Sequence, residues 1–198
     1  MAKLSLVTQS KRHPLKERGA DLYETPPCAI QALLQVETLP PVIWEPCAGP
    51  GSIVTHLRQA GHHVIAQDLY DWDCPDCQTG LDFLSADIED VPSDIGAIVT
   101  NPPFKDAAAF VRKARDLCPK VIMLVRLAFI ESVGRADILD EGDLARIYVF
   151  ANRLPMMHRH GWQGNRSTSA VPFAWFVWDA EHAGPTHIRR IRWEKYGE

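Results

Sequence analysis

Asn101-Pro102-Pro103-Phe104 sets an amide, two backbone-fixing rings and an aromatic face in four consecutive residues. The Asn101 side-chain oxygen and the Pro102 backbone carbonyl are both hydrogen-bond acceptors. Proline restricts φ at its own position and keeps the preceding residue out of the helical region, so both acceptors can be fixed before a substrate arrives. A pair of that kind works by alignment and electrostatics on a group that carries N–H donors. Upstream, Glu45-Pro46-Cys47-Ala48-Gly49-Pro50-Gly51 places glycines in a strand-to-helix turn, where backbone can approach a ligand closely. A dinucleotide fingerprint would need glycine at Cys47 and Val54, and a P-loop would need Gly-Lys-Ser/Thr, so a pyrophosphate or triphosphate cradle is disfavoured. Asp68 ends a strand nineteen residues after Gly49, a position from which a carboxylate can accept hydrogen bonds from ribose hydroxyls.

The tetrapeptide resembles the catalytic motif of S-adenosylmethionine-dependent amino-methyltransferases, including N6-adenine DNA methyltransferases, related RNA enzymes and release-factor glutamine methyltransferases. Glu-x-x-x-Gly-x-Gly, from Glu45 to Gly51, resembles the first motif of that class, whose acid lies near the cationic methionine portion of the cofactor. Tyr23-Glu24-Thr25-Pro26-Pro27 resembles the tenth motif of the adenine enzymes, which packs on the methionine end. Alone, it also reads as a helix start with Thr25 as cap and Pro26 as the first helical residue.

The resemblance implies a compact, stand-alone enzyme of the gamma motif order, using S-adenosyl-L-methionine and acting on adenine in DNA. RNA adenine or a protein glutamine would be alternative substrates, and a non-catalytic binding protein of the same fold is a further one. Implied cofactor contacts are Tyr23, Thr25, Pro26, Glu45, Pro46, Cys47, Ala48, Gly49, Gly51, Asp68, Leu69 and Asn101, with Asp82 and Phe83 beside the adenine. Asp82 and Phe83 read equally well as a cap and a core side chain.

The implied chemistry makes the tetrapeptide intelligible. A conjugated exocyclic amine offers little lone-pair density. Acceptance of one N–H each by Asn101 and Pro102 would pull its nitrogen toward tetrahedral geometry, with no general base needed. Phe104 can stack on a base turned out of its strand. A cytosine-C5 mechanism would need a cysteine nucleophile beside a proline at this site. Cys47 belongs to the glycine loop and Cys118-Pro119 ends a helix.

These residues need a scaffold. Short apolar runs at Val42-Ile43-Trp44, Val64-Ile65-Ala66, Ala97-Ile98-Val99 and 121–125 read as buried strands, with helices expected over Pro27 to Val36, Ile53 to Ala60, Asp106 to Leu117 and Ser132 to Leu139. A third strand falls near Gln78-Thr79-Gly80-Leu81. After residue 140, 145–150 and 174–178 form two strands with no helix between them, an antiparallel hairpin closing a parallel sheet. The expectation is an α/β, Rossmann-like fold with a mostly parallel seven-stranded sheet and helices on both faces. It would be one domain over residues 21–198, preceded by a basic segment, 1–20.

The 198 residues are 46% hydrophobic and 23% charged, ordinary for a folded domain and too few for two. With neither a signal peptide nor a membrane span, the chain is expected to be cytoplasmic, and its five cysteines reduced. Cys74-Pro75-Asp76-Cys77 supplies only two possible zinc ligands, so no metal is expected.

The net charge of −4 is unevenly spread. Lys and Arg number five against one acid in residues 1–20, nine against twenty in 21–150, and seven against four in 151–198. The long connection from Asn152 to Pro172 carries Arg153, Arg159, Trp162 and Arg166 and is the expected nucleic-acid contact surface.

Overall fold

Strands that are buried on both faces have no polar side to show, and the apolar runs of this chain take that place at the centre of the sheet. The computed structural model describes residues 22–156 and 170–193. Its elements in chain order are α1 (Pro27–Leu34), β1 (Val42–Glu45), α2 (Ser52–Gln59), β2 (His63–Asp68), β3 (Cys77–Thr79), β4 (Ala97–Thr100), α3 (Ala107–Leu117), β5 (Lys120–Arg126), α4 (Ala136–Leu139), β6 (Leu144–Phe150), β7 (Phe173–Asp179) and β8 (His187–Ile191).

The sheet runs β3-β2-β1-β4-β5-β7-β6-β8. The strands from β3 to β5 pair in parallel, β7 runs antiparallel between β5 and β6, and β8 pairs in parallel with β6. The expected architecture is present, with eight strands in place of seven. The eighth is β8, whose first four residues are exposed and whose last, Ile191, is buried. An edge strand touching the core through one residue carries too little apolar signal to be read as a strand.

Two cores flank the sheet. One packs Ile30, Leu33 and Leu57 of α1 and α2 against Ile43, Leu124 and Trp175. The other packs Phe110 and Val111 of α3 and Ile138 of α4 against Trp44, Ile98 and Phe176. Each fully buried large side chain contributes about 1.5–3 kcal/mol. The indoles of Trp44, Trp175 and Trp178 also donate to Gln67 Oε1, the Ala29 carbonyl and the Ile138 carbonyl, which keeps their burial free of an unmet N–H.

The helix expected over Ser132 to Leu139 is shorter. A 3-10 turn, Val133–Arg135, precedes a single α-turn, Ala136–Leu139. Gly134 lies in that 3-10 turn, where glycine's backbone freedom weakens helix propagation. Among the described residues no helix is long and apolar enough to cross a membrane.

Candidate functional site

The carboxyl ends of β1, β2 and β4 open onto a cavity of about 640 Å³. Its floor is the loop after β1. Ala48 N–H bonds to the Gln67 carbonyl and Gly49 N–H to Asp68 Oδ2, both at 2.9 Å, which ties the loop to β2. Gly49 and Gly51 adopt φ of 52° and 89°, a region open to glycine and costly to other residues. A Cβ on Gly51 would meet Cys74 Sγ at 2.7 Å, and one on Gly49 would meet Leu22 Cδ1 at 3.1 Å. Conformation calls for glycine at both positions, and close packing adds to that at Gly51.

Glu45 lies behind this floor, fully buried, and does not line the cavity. Its Oε1 accepts from Thr100 Oγ1 at 2.7 Å and from Cys47 N–H at 3.3 Å, while Oε2 has no partner among the described residues. Desolvation holds its carboxyl well above the usual carboxylate range, against the pull of those two donors. Desolvation, with Glu45 and Asp68 nearby, likewise pushes the Cys47 thiol up. A thiol so held is a poor nucleophile, consistent with the rejection of cysteine chemistry here.

Asp68 Oδ1 accepts from Tyr70 N–H at 2.9 Å and Trp72 Nε1 at 3.1 Å. With Gly49 on Oδ2, three of roughly four lone-pair positions on the carboxylate are in use. Leu69 is exposed at the cavity wall. Asp82 caps the 3-10 turn Phe83–Ser85, accepting from Leu84 N–H and Ser85 Oγ. Phe83 is buried between Trp44 and Phe110, with ring centroids at 5.3 and 5.2 Å. Both nevertheless line the cavity.

The Asn-Pro-Pro-Phe tetrapeptide follows β4 on the same rim, and Asn101, Pro102, Pro103 and Phe104 all line the cavity. Asn101 Nδ2 donates to the Tyr23 carbonyl at 2.8 Å and to Thr25 Oγ1 at 3.0 Å. A carbonyl can only accept, so the atom facing Tyr23 must be the amide nitrogen and Oδ1 must point the other way. Among the described residues that Oδ1 is buried with no hydrogen-bond partner. Thr25 is therefore not the helix cap. The N-cap of α1 is Pro26, with no side-chain cap bond, and the helix starts at Pro27. The buried Thr25 hydroxyl serves Asn101 instead, and its carbonyl accepts from Ser52 Oγ of α2.

Phe104 is flanked by Tyr23 at 4.7 Å and Phe173 at 5.3 Å, and the Arg126 guanidinium lies 4.7 Å over its ring. Of the residues read from sequence, Tyr23, Thr25, Pro46, Cys47, Ala48, Gly49, Asp68 and Leu69 come together at the cavity with the tetrapeptide, whereas Pro26, Glu45 and Gly51 support it from outside. Cys74 lies against Gly51 of the glycine loop, and among the described residues no group of three potential metal ligands occurs. Arg153 is exposed just beyond β6, while Arg159, Trp162 and Arg166 lie outside the described residues. Sequence reasoning overlooked Tyr70 and Trp72, although aromatics directly after a strand's carboxyl end are a signal for a site at that end.

No family model matches the sequence, and no curated protein matches it significantly. Solved structures do share its fold. A modification subunit of a putative type I restriction enzyme from Vibrio vulnificus YJ016 superposes with a TM-score of 0.60 at 12% identity, over 90% of this chain and 49% of that one. This chain thus spans about half the length of that subunit. A putative RNA methyltransferase from Pyrococcus horikoshii gives 0.59 at 15% identity, over 89% and 93% of the two chains. A putative class I S-adenosylmethionine-dependent methyltransferase from Listeria monocytogenes gives 0.55 at 11% identity, over 82% and 62%. The cavity at the carboxyl end of the sheet is therefore set in the fold that these methyltransferases share.

Proposed function

We propose that this protein transfers a methyl group from S-adenosyl-L-methionine to an exocyclic amine, N6 of adenine in DNA. The observation that carries the reading is Asn101, whose Nδ2 is held by Tyr23 and Thr25 so that a buried acceptor, Oδ1, is left unpartnered at the cavity. A buried polar atom without a partner costs about 1–3 kcal/mol, and a substrate N–H would remove that cost.

The cavity fits the cofactor. Its volume lies within the range of roughly 300–1,000 Å³ typical of small-molecule sites. Pro46, Cys47, Ala48 and Gly49 would pass beneath the cofactor, and the remaining acceptor position on Asp68 would take a ribose hydroxyl. Leu69, Asp82 and Phe83 would border the adenine, with Tyr23, Thr25 and Pro26 on the methionine side and Glu45 and Gly51 supporting the loop. When bound, the cofactor supplies an electrophilic methyl group on a sulfonium sulfur. Asn101 Oδ1 and the Pro102 carbonyl accept the two amine N–H groups and localise the lone pair that conjugation would otherwise spread. Their preorganisation supplies the rate, and the extra proton leaves to solvent afterward. A flat base would stack on Phe104 in the place that the Arg126 guanidinium holds over its ring.

The shared fold of a restriction-enzyme modification subunit and an RNA methyltransferase supports a nucleic-acid substrate. Incubation with S-adenosylmethionine labelled on the methyl group, together with DNA, structured RNA or a release factor in separate reactions, tests the reading. Label in DNA adenine is expected. Label in RNA or glutamine alone would move the amine to that polymer, and no label with no heat of cofactor binding would refute the enzyme.

A further inference from the structure

Among the described residues, some arginines have a carboxylate partner and others do not. Arg58, Arg112, Arg115 and Arg146 each pair with a carboxylate, at 3.8, 2.5, 2.6 and 2.8 Å respectively. Arg126, Arg153, Arg189, Arg190 and Arg192 are exposed and make no ion pair among the described residues. Of these, Arg153, Arg190 and Arg192 gather at one place. The Ala151 N–H bonds to the Ile191 carbonyl at 2.8 Å, and Asn152 and Trp193 exchange side-chain to backbone hydrogen bonds, which fixes Arg153 beside the end of β8. Val149 is in register with Arg190 and Phe150 with Ile191. No acidic residue occurs in 144–156, 170–178 or 187–193; Asp179, which ends β7, lies at the opposite end of the sheet and is paired with Arg146.

Topology places this cluster on the rim that holds Asn101. β6 and β8 run in the same direction as β4 and β5, so their carboxyl ends share one edge of the sheet. Four strand steps separate β4 from β8 in the order β4-β5-β7-β6-β8. At about 4.8 Å per step the rim is about 19 Å long. Arg126, at the end of β5, stands between the two ends. Duplex DNA rises 3.4 Å per base pair, so such a rim spans between about five and six base pairs.

We infer that this rim binds the backbone of duplex DNA, with Arg153, Arg190 and Arg192 on phosphates about five base pairs from the adenine that enters at Asn101. The inference rests on the proposed function for its orientation. It assigns a role to β8, which the shorter sheet expected from sequence lacked. Guanidinium groups free of carboxylate partners suit phosphate oxygens because they match them with two parallel N–H donors. Phosphate contacts set position and register and carry no base preference.

The test is the salt dependence of binding to a fluorescent duplex longer than the rim, read by anisotropy. Each lost phosphate contact lowers the slope of log K against log salt by about 0.9. The double variant Arg190→Gln/Arg192→Gln is expected to lower it by about 1.8, so the affinity gained between about 200 and 50 mM salt shrinks about twelvefold. Arg153→Gln should lower it by about half as much. Arg112→Gln, on α3 and paired with Asp137, should leave it unchanged. An unchanged slope in all rim variants overturns the inference, as does equally tight binding of phosphatidylserine vesicles lost in the same variants. Methyl transfer is scored separately. DNA methylation with an unchanged slope removes only the rim, whereas a reduced slope with no label in DNA supports the rim and removes the proposed substrate.

Discussion

Asn101→Ala removes two things at once, and their magnitudes differ enough to be told apart. The first is structural. Hydrogen bonds to the Tyr23 carbonyl and to Thr25 Oγ1 disappear, at about 0.5–1.5 kcal/mol each, and removal of the unpartnered Oδ1 offsets part of that loss, so the net cost is at most about 3 kcal/mol. In a chain of this size that lowers Tm by at most about 12 °C. The second is catalytic. Loss of one preorganised hydrogen-bonding group at the reacting centre costs about 10²–10³ in rate, or about 2.7–4 kcal/mol. Thr25→Val separates the two, because it removes one anchor of the amide and leaves Oδ1 in place. A loosened acceptor should lower the rate about tenfold, equivalent to about 1.4 kcal/mol. Initial rates of label transfer, calorimetric cofactor binding and thermal unfolding would be measured on all three proteins. Cofactor affinity should fall by less than about fivefold in each variant, the equivalent of one hydrogen bond. A rate within tenfold of the parent for Asn101→Ala, or a cofactor affinity that falls in step with the rate, would refute the assignment of Oδ1 as the amine acceptor.

Other expectations concern the parts behind the site. Glu45 has a folded-state pKa above its unfolded value of about 4.3, chiefly from desolvation, so its stability contribution is complete below that value and is lost as pH rises through the folded pKa. Glu45→Gln should therefore gain in Tm relative to the parent as pH rises, and a constant difference across pH would contradict the burial argument. Glu37 behaves oppositely. Burial raises its pKa, but hydrogen bonds from Lys120, Tyr148 and Arg146 outweigh it and the net shift is downward, so its contribution is present above about pH 4.3 and lost in acid. Glu37→Gln should cost about 2 kcal/mol in a denaturant melt at neutral pH, a value reduced because both cations are partly exposed, and the deficit should vanish in strong acid. Gly51→Ala should cost about 1–3 kcal/mol for its φ of 89° alone, and more for the contact with Cys74 Sγ. Adding Cys74→Ala should recover the contact portion only, as read by denaturant midpoints.

The parts legible in the sequence are those whose neighbours lie nearby or whose burial is complete. β1, β4 and β5 appear as apolar runs because helices cover both faces, and the glycine loop is readable because positive φ is a local demand. Where a distant partner decides the outcome, local reasoning fails. Thr25 before two prolines has the form of a helix cap, yet its hydroxyl is taken by Asn101, 76 residues away. Asp82 and Phe83 could be weighed only as a cap or as ligand-facing residues. Asp82 is a cap and Phe83 a core ring, and the 3-10 turn they begin also forms part of the cavity wall. β8 is hidden for a different reason, since four of its five residues face solvent and their charge resembles a loop.

The short segment from Tyr23 to Thr25 explains why two motifs so far apart in the chain can behave as one site. Its Thr25 carbonyl accepts from Ser52 at the start of α2, immediately after the glycine loop, while its Tyr23 carbonyl and Thr25 hydroxyl hold Asn101. Tyr23 also packs its ring on Phe104. A shift of this segment would move the floor of the cavity and the acceptor together, whereas substitutions elsewhere on the wall, such as Leu69, would reach only one of them. Residues in one hydrogen-bond network couple by about 0.5–3 kcal/mol. Thr25→Val and Ser52→Ala should therefore combine non-additively in a double-mutant cycle on transfer rate. Additivity within about 0.3 kcal/mol would mean that the glycine loop and the tetrapeptide are positioned independently, and that the tenth-motif-like segment merely lies beside them.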